Sequence, residues 1–277
     1  MTPDEYCQQK AVSSGSSFYY SFLFLPPERR RAITALYAFC REVDDVVDEC
    51  TDAQVARSKL AWWRLEVGKL FEGKPSHPVS NALRPFLEKF QIKAGHLNEI
   101  IAGMEMDLTQ TRYLDFTDLE RYCYHVAGSV GLLAAGIFGY SNPRTLDYAK
   151  NLGTAFQLTN IIRDVGEDAR KNRIYLPMDE LQKFGVKAAD ILNRTPGESF
   201  QNLMRFQAQR AAAYYAKAFD SLPAEDRRAQ RAGLIMAAIY RATLAEIERE
   251  GFKVLTQRTS LTPLRKLWLA WKTWIIA

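Results

Sequence analysis

The chain has little of what redox, zinc and nucleic-acid chemistry display. Its three histidines, His77, His96 and His125, form no zinc-type spacing. The four cysteines, Cys7, Cys40, Cys50 and Cys123, include no CxxC pair and read as buried or partly buried thiols of a reducing compartment. No apolar run approaches the roughly eighteen residues of a spanning helix. Met1 to Tyr20 carries Asp4 and Glu5 and no continuous apolar stretch, unlike a secretory signal, so a cytoplasmic protein is expected. No Gly/Ser-rich or Pro-rich linker divides the 277 residues, and one domain over 1–277 is expected. The net charge of +5 is modest and no nucleic-acid motif accompanies it, so no nucleic-acid partner is expected. Alternation of β-branched residues is nearly absent, which excludes a sheet-based fold.

What remains is helical periodicity. Pro27-Glu28 resembles a helix start, and Ile33, Leu36, Tyr37, Cys40, Val43 and Val47 form a broad apolar face after it. Thr51-Asp52 restarts a helix in which Trp62, Leu65 and Leu70 are spaced for packing, and Gly73 to Pro78 ends it. Further helices are predicted from about Ala94 to Thr109 and from Phe116 to Gly139. Gly128, Gly131 and Gly136 in the second of these point either to close helix approach or to room for a ligand. Pro143 opens the next helix, and Ile174 to Pro177 interrupts it. Helices near 178–184, 198–219 and 226–250 complete an all-α fold.

Two acidic ladders dominate this helical frame. Asp44-Asp45-Val46-Val47-Asp48 and Asp164-Val165-Gly166-Glu167-Asp168 each place their outer aspartates four apart, on one helix face. Such pairs repel unless a cation lies between them, and Mg²⁺ suits oxygen ligands and is often shared with substrate phosphates. One such pair alone reads as a solvated helix surface. Here both adjoin apolar positions and carry polar companions. Arg41 shares the face of Asp44 and Asp48, while Gln157, Asn160, Asp164 and Asp168 form one stripe that is costly to bury unless bonded. Arg170, Lys171, Arg173 and Tyr175 follow the second ladder. Beside a diphosphate they read as a mobile flap that neutralises a leaving group and excludes water.

These residues resemble the squalene and phytoene synthase family of head-to-head prenyltransferases. The resemblance rests on Ser13 to Tyr20, Leu25-Pro26, Tyr37 to Asp45, Tyr122 to Gly128, Gln157 to Asp164 and Arg173 to Pro177, an ordered set covering nearly the whole chain. It implies an isoprenoid synthase helical fold around a central active-site cavity. It further implies three Mg²⁺ ions between Asp44, Asp48, Asp164 and Asp168, with Asn160 as a ligand or near-ligand. Arg41 and Arg163 resemble diphosphate contacts, Tyr122 and Tyr240 cavity tyrosines, and Gln157 a polar wall residue. Phe18 and Phe22 match a substrate-tunnel wall or, equally, ordinary core aromatics. The run Ser13-Ser14-Gly15-Ser16-Ser17 departs from relatives that carry basic residues there, leaving fewer cations for a second diphosphate.

Within the family the likeness is nearest to the bacterial presqualene-forming members of hopanoid synthesis. That implies two farnesyl diphosphates joined to presqualene diphosphate with loss of diphosphate, no use of NADPH, and a downstream squalene-forming enzyme. Phytoene synthesis from two geranylgeranyl diphosphates and NADPH-dependent squalene synthesis are the neighbouring readings. A terpene cyclase, a chain-elongating prenyltransferase and a noncatalytic helical binding protein are the readings of other classes. Finally, residues 262–277 place Leu264, Leu267, Trp268 and Trp271 near one helix face, flanked by Arg265, Lys266 and Lys272. Such a segment either lies on an anionic membrane surface, at the inner face of the membrane for a cytoplasmic protein, or docks on a protein body.

Overall fold

The structure, a computed structural model, describes residues 1–13 and 18–276, Tyr19 by its backbone alone. Ser14, Gly15, Ser16 and Ser17 of the serine-rich opening lie outside the described residues. The α-helices run in chain order: α1 (Pro3–Ser13), α2 (Phe18–Phe22), α3 (Pro27–Glu49), α4 (Ala53–Phe71), α5 (Pro78–Leu83), α6 (Ala94–Thr109), α7 (Phe116–Cys123) and α8 (Ser129–Phe138). They continue with α9 (Arg144–Arg170), α10 (Met178–Lys183), α11 (Ala188–Leu192), α12 (Glu198–Ser221), α13 (Arg231–Arg249) and α14 (Pro263–Ile276). No strand occurs among the described residues, only an isolated bridge between Arg112 and Ile174. The fold class is all-α, as the sequence predicts.

Two buried clusters organise these helices. One joins α3, α4 and α6 through Leu36, Phe39, Leu60, Trp63, Leu97 and Ile101. The other joins α7, α9, α12 and α13 through Leu119, Phe156, Leu158, Tyr215 and Leu244. Phe18 and Val126 pack against both. Each acidic ladder therefore rides on a long helix rooted in a different cluster, α3 in the first and α9 in the second.

Local chemistry explains the elements. Pro27 sits in the first turn of α3, where a missing N–H costs nothing. The Asp52 carboxylate caps α4 by accepting from the N–H groups of Gln54 and Val55 at 2.7 and 3.3 Å. On α4 the sequence reading needs correcting. Trp62 and Leu65 are 41% and 67% exposed, because Leu60, Trp63, Val67 and Leu70 occupy the inward stripe and leave those two on the opposite side. The predicted helix from Phe116 to Gly139 is also interrupted, widening into a π-type turn over Tyr124–Gly128. The last long helix, α13, starts at Arg231 rather than Asp226. Asp226 is buried in a preceding turn and accepts from Ser141 N and Oγ, both at 2.7 Å, Asn142 N at 3.0 Å and Thr145 Oγ1 at 2.6 Å.

The glycine question resolves toward close approach. A Cβ on Gly131 would lie 2.3 Å from the Ala149 carbonyl oxygen, and one on Gly153 would lie 2.4 Å from that of Ala127. Backbone meets backbone at both points, which brings α8 and the π-type turn directly onto α9.

Candidate active site

A cavity of about 420 Å³ lies where the two clusters meet. Its wall is polar in one part, with Arg41, Asp44, Gln157, Asn160 and Arg163, and apolar in the rest, with Ile33, Leu36, Met104, Val130 and Phe138. Phe18, Phe22, Tyr122 and Tyr240, all singled out by sequence, also line it. Around Phe18 the rings form a cage, with Tyr37, Tyr240 and Phe156 centred 5.7, 5.9 and 6.4 Å away and Tyr240 only 4.7 Å from Phe156. Aromatic faces lining a dry cavity favour a cation within it.

The first ladder is held by cations from two directions. Arg41 reaches forward along α3 to Asp44 at 2.6 Å and to Asp45, and Lys10 of α1 meets Asp45 at 2.8 Å. Asp48 pairs across the molecule with Lys171 at 2.8 Å and Arg173 at 3.5 Å. Burial pushes Asp44 up to about 6, with Arg41 opposing and the nearby Asp48 and Asp107 carboxylates reinforcing.

The second ladder is divided. Asp164 accepts from Nε of its neighbour Arg163 and Nε of Arg258, both at 2.8 Å, and Arg258 also reaches Glu167 at 3.2 Å. Burial alone would raise Asp164, yet these guanidiniums hold it below the usual carboxylate range. The Asp168 carboxylate, one turn on, has neither ion pair nor hydrogen bond among the described residues, although its backbone carbonyl accepts from Lys171 and Arg173 N–H at 3.0 and 2.9 Å. Burial and the Asp164 charge push it up to about 7, against Arg173. It faces a crevice shared with Arg173 and Tyr175 rather than the main cavity.

The expected flap is only partly a flap. Arg170, Lys171 and Asn172 form an exposed tip, with Arg170 3.9 Å from Glu167 and outside the cavity wall. The rest is anchored. Ile174 N–H donates to Thr111 O at 3.1 Å, Met178 N–H to Tyr113 O at 2.9 Å, and Arg112 clasps the Asn172 carbonyl at 2.7 Å. Tyr175 is buried. Backbone hydrogen bonds thus tether the segment on both sides of Tyr175, which the sequence places in the flap.

Three residues that sequence reasoning missed belong to this region. Asp107 on α6 is buried and accepts hydrogen bonds from Tyr122 and Tyr175 at 2.9 and 2.8 Å, beneath the stacked rings of Tyr122, Tyr175 and Tyr113. Burial pushes it up to about 6 despite those bonds and Arg173. Asp107 falling between Met104 and Leu108 on the otherwise apolar side of α6, with Glu105 turned outward to Arg64, was the available signal. Arg258 and Lys266 also line the cavity, brought there by the segment before α14 and by α14 itself. The Lys266 ammonium has its pKa lowered by burial and by the facing charges of Arg163 and Arg258.

The donor set fits a hard divalent ion. It consists of carboxylates and the Asn160 amide oxygen, which is buried without a hydrogen-bond partner. Among the described residues no three acidic, thiol or imidazole groups gather closely enough to hold a metal unaided.

Residues 11–265 match the family model described as squalene/phytoene synthase. The chain is 37% identical to a phytoene synthase of Arthrospira platensis over 276 residues, covering 95% of this chain and 89% of that one. It is 35% identical to a 15-cis-phytoene synthase of Synechocystis, with 96% and 84% covered. Among solved structures, a dehydrosqualene synthase in complex with ligand superposes with a TM-score of 0.86 at 29% identity, covering 98% of this chain and 95% of that one. The squalene synthase HpnC of Alicyclobacillus acidocaldarius superposes with a TM-score of 0.80 at 27% identity, covering 90% and 94%.

Proposed function

Because the chain belongs to the squalene/phytoene synthase family, we propose that it joins two allylic prenyl diphosphates head to head in this cavity, with release of diphosphate. The observation that carries the reading is the cavity's division into a polar part, Arg41, Asp44, Asn160 and Arg163, and an aromatic and aliphatic part. In this reading residues 1–277 act as one helical unit.

Asp44 and Asp48 on α3, with Asn160, Asp164 and Asp168 on α9, would hold Mg²⁺ together with the substrate diphosphate, three ions by the family resemblance. Bound there, the metal would draw charge from the departing diphosphate. Arg41 and Arg163 bind diphosphate oxygens, Lys171 from the exposed tip and Arg173 from the anchored part of the loop supply positive charge, and Gln157 orients the polar wall. Arg258 and Lys266, which line the same cavity, supply cations of the kind the serine-rich opening lacks. The allylic cation left behind lies against Phe18, Phe156 and Tyr240, where water is excluded and the second alkene is the available nucleophile. Tyr122 and Tyr175, tied to Asp107, fix the wall between the ladders.

For the chain length, the curated relatives favour two geranylgeranyl diphosphates with phytoene as product, since those quoted are phytoene synthases. The second reading, two farnesyl diphosphates giving presqualene diphosphate, has the support of the dehydrosqualene and squalene synthase structures. Hopanoid synthesis and a downstream squalene-forming enzyme follow only from the second.

The test is incubation of purified protein with Mg²⁺ and each diphosphate, with and without NADPH, and identification of products by mass. Phytoene from the C20 substrate supports the first reading and presqualene diphosphate from the C15 substrate the second. Squalene formed only with NADPH assigns the reductive reaction instead. Turnover of neither, or turnover that survives a chelator, overturns the proposal.

A further inference from the structure

The polar part of the cavity, with Asp44 and Asn160, is only one of its ends. Two helices lead in step to the other. On α9 Tyr148 precedes Asn160 by twelve residues, about 18 Å along the axis, and on α13 Gly233 precedes Tyr240 by seven, about 10 Å. Phe156 meets Tyr240 nearer the polar part, with ring centres 4.7 Å apart, and Tyr148 meets Gly233 at the far end. Tyr148 and Gly233 both line the cavity, as does Gln230. Gln230 donates from Nε2 to Ala135 O at 3.2 Å and Gly139 O at 2.9 Å, which ties the end of α8 to the same place.

Tyr148 is 1% exposed, and its hydroxyl makes no hydrogen bond among the described residues. A buried hydroxyl left unpaired costs stability, so bonding does not account for a tyrosine here. Contact does. A Cβ on Gly233 would lie 2.7 Å from Tyr148 Oη and 3.7 Å from its Cζ. The phenol thus fills the space that a side chain at position 233 would take, and its ring stands across the far end of the apolar part.

We infer that Tyr148, seated on Gly233, is the residue that fixes the longest prenyl chain the cavity admits. This rests on the head-to-head reading above and selects within its substrate class. A chain whose diphosphate lies between the ladders runs along α9 and ends against the phenol. One more isoprene unit has to displace a ring that is packed on backbone, and a close-packed wall resists added carbon.

The experiment is calorimetric titration of the full chain, with Mg²⁺, by unreactive S-thiolodiphosphate analogues of the C15, C20 and C25 chains, alongside product analysis with the ordinary diphosphates. Wild-type affinity is expected to rise with length to a limit and to fall at least about tenfold for the next unit. Tyr148→Ala is expected to recover about tenfold for that next chain and to leave chains that stop short of the ring as they were, a split that lost packing alone would not give. Gly233→Ala is expected to cost the longest accepted chain about tenfold, and Tyr148→Phe in the same protein to restore it, because the contact runs through Oη. A wild type without a limit up to C25, a Tyr148→Ala variant with the wild-type length profile, or a Gly233→Ala loss that Tyr148→Phe leaves in place overturns the inference. Should Tyr148→Ala not fold, the Gly233→Ala and Tyr148→Phe pair decides. The expected length profile without any coupled product overturns the head-to-head reaction and keeps the floor, whereas coupled product with an unchanged profile does the reverse.

Discussion

The two acidic ladders have the same spacing and differently placed counter-charges. On α3 every carboxylate meets a cation, Asp44 from Arg41 and Asp48 from Lys171 and Arg173. On α9 Asp164 is gripped by Arg163 and Arg258 and held low, while Asp168 is left without a partner and pushed up to about 7. A four-residue spacing thus fixes direction but not charge state. Neighbours both near in the chain, Arg41 and Arg163, and far from it, Lys171, Arg173 and Arg258, decide whether a carboxylate is engaged or waiting for a cation.

Substitution of the waiting member tests this contrast most severely. Asp168→Asn is expected to lower kcat by about a hundredfold or more and to raise the Mg²⁺ concentration for half-maximal rate, both read by diphosphate release. An unchanged Mg²⁺ requirement would remove Asp168 from the metal site.

A stability control lies outside both ladders. Asp226 is held down to about 2 because hydrogen bonds from Thr145, Ser141 and Asn142 outweigh its burial. Its contribution is fully present above its ordinary value near 3.8 and is lost as the pH falls from there through about 2. Asp226→Asn is expected to cost about 2 kcal/mol at neutral pH, with the wild-type and variant denaturation midpoints converging in acid. If the gap persists at low pH, the charge is not what the turn uses.

Asp107 sharpens the contrast from between the ladders. Asp107→Asn keeps the shape of the site but removes the charge that both tyrosines address. A loss of about tenfold in kcat with KM little changed is expected, and Tyr122→Phe should account for most of it in a double-mutant cycle. Additive losses would mean that the two act separately.

The smallest effect belongs to the exposed clasp between the helices. Lys171→Ala should change stability by less than about 1 kcal/mol in denaturant titration, since its ion pair with Asp48 is open to water. A larger loss would show that the first ladder depends on that loop structurally.

Much of this was legible in advance because it is local. The α3 and α9 faces, Asn160 and Gln157 beside the second ladder, and the proline at the start of α3 all follow from helical spacing. The errors were of another kind. Trp62 and Leu65 are spaced for packing, but the stripe through Leu60, Trp63, Val67 and Leu70 is spaced as well and is the one that turns inward. Tyr175 looked mobile because the backbone bonds that tether Ile174 and Met178 come from residues 111 and 113, some sixty positions earlier. Arg258 and Lys266 escaped notice because only tertiary folding returns the last segment to Asp164. Asp107 escaped because it has no acidic partner three or four residues away on its own face, and so gives no periodic signal.

The widened turn at Tyr124–Gly128 has one further consequence. Tyr122, Val126, Val130 and Ala134, spaced by four, all line the cavity. Along a regular helix each step of four drifts about 40°, so three steps would swing the last residue about 120° away from the first. The i→i+5 turn slackens the winding within that stretch and counters the drift. The turn therefore works as a phase correction: it takes up about one extra residue without turning α8 away from Tyr122, so four side chains on two helical segments keep to one inner surface of the cavity.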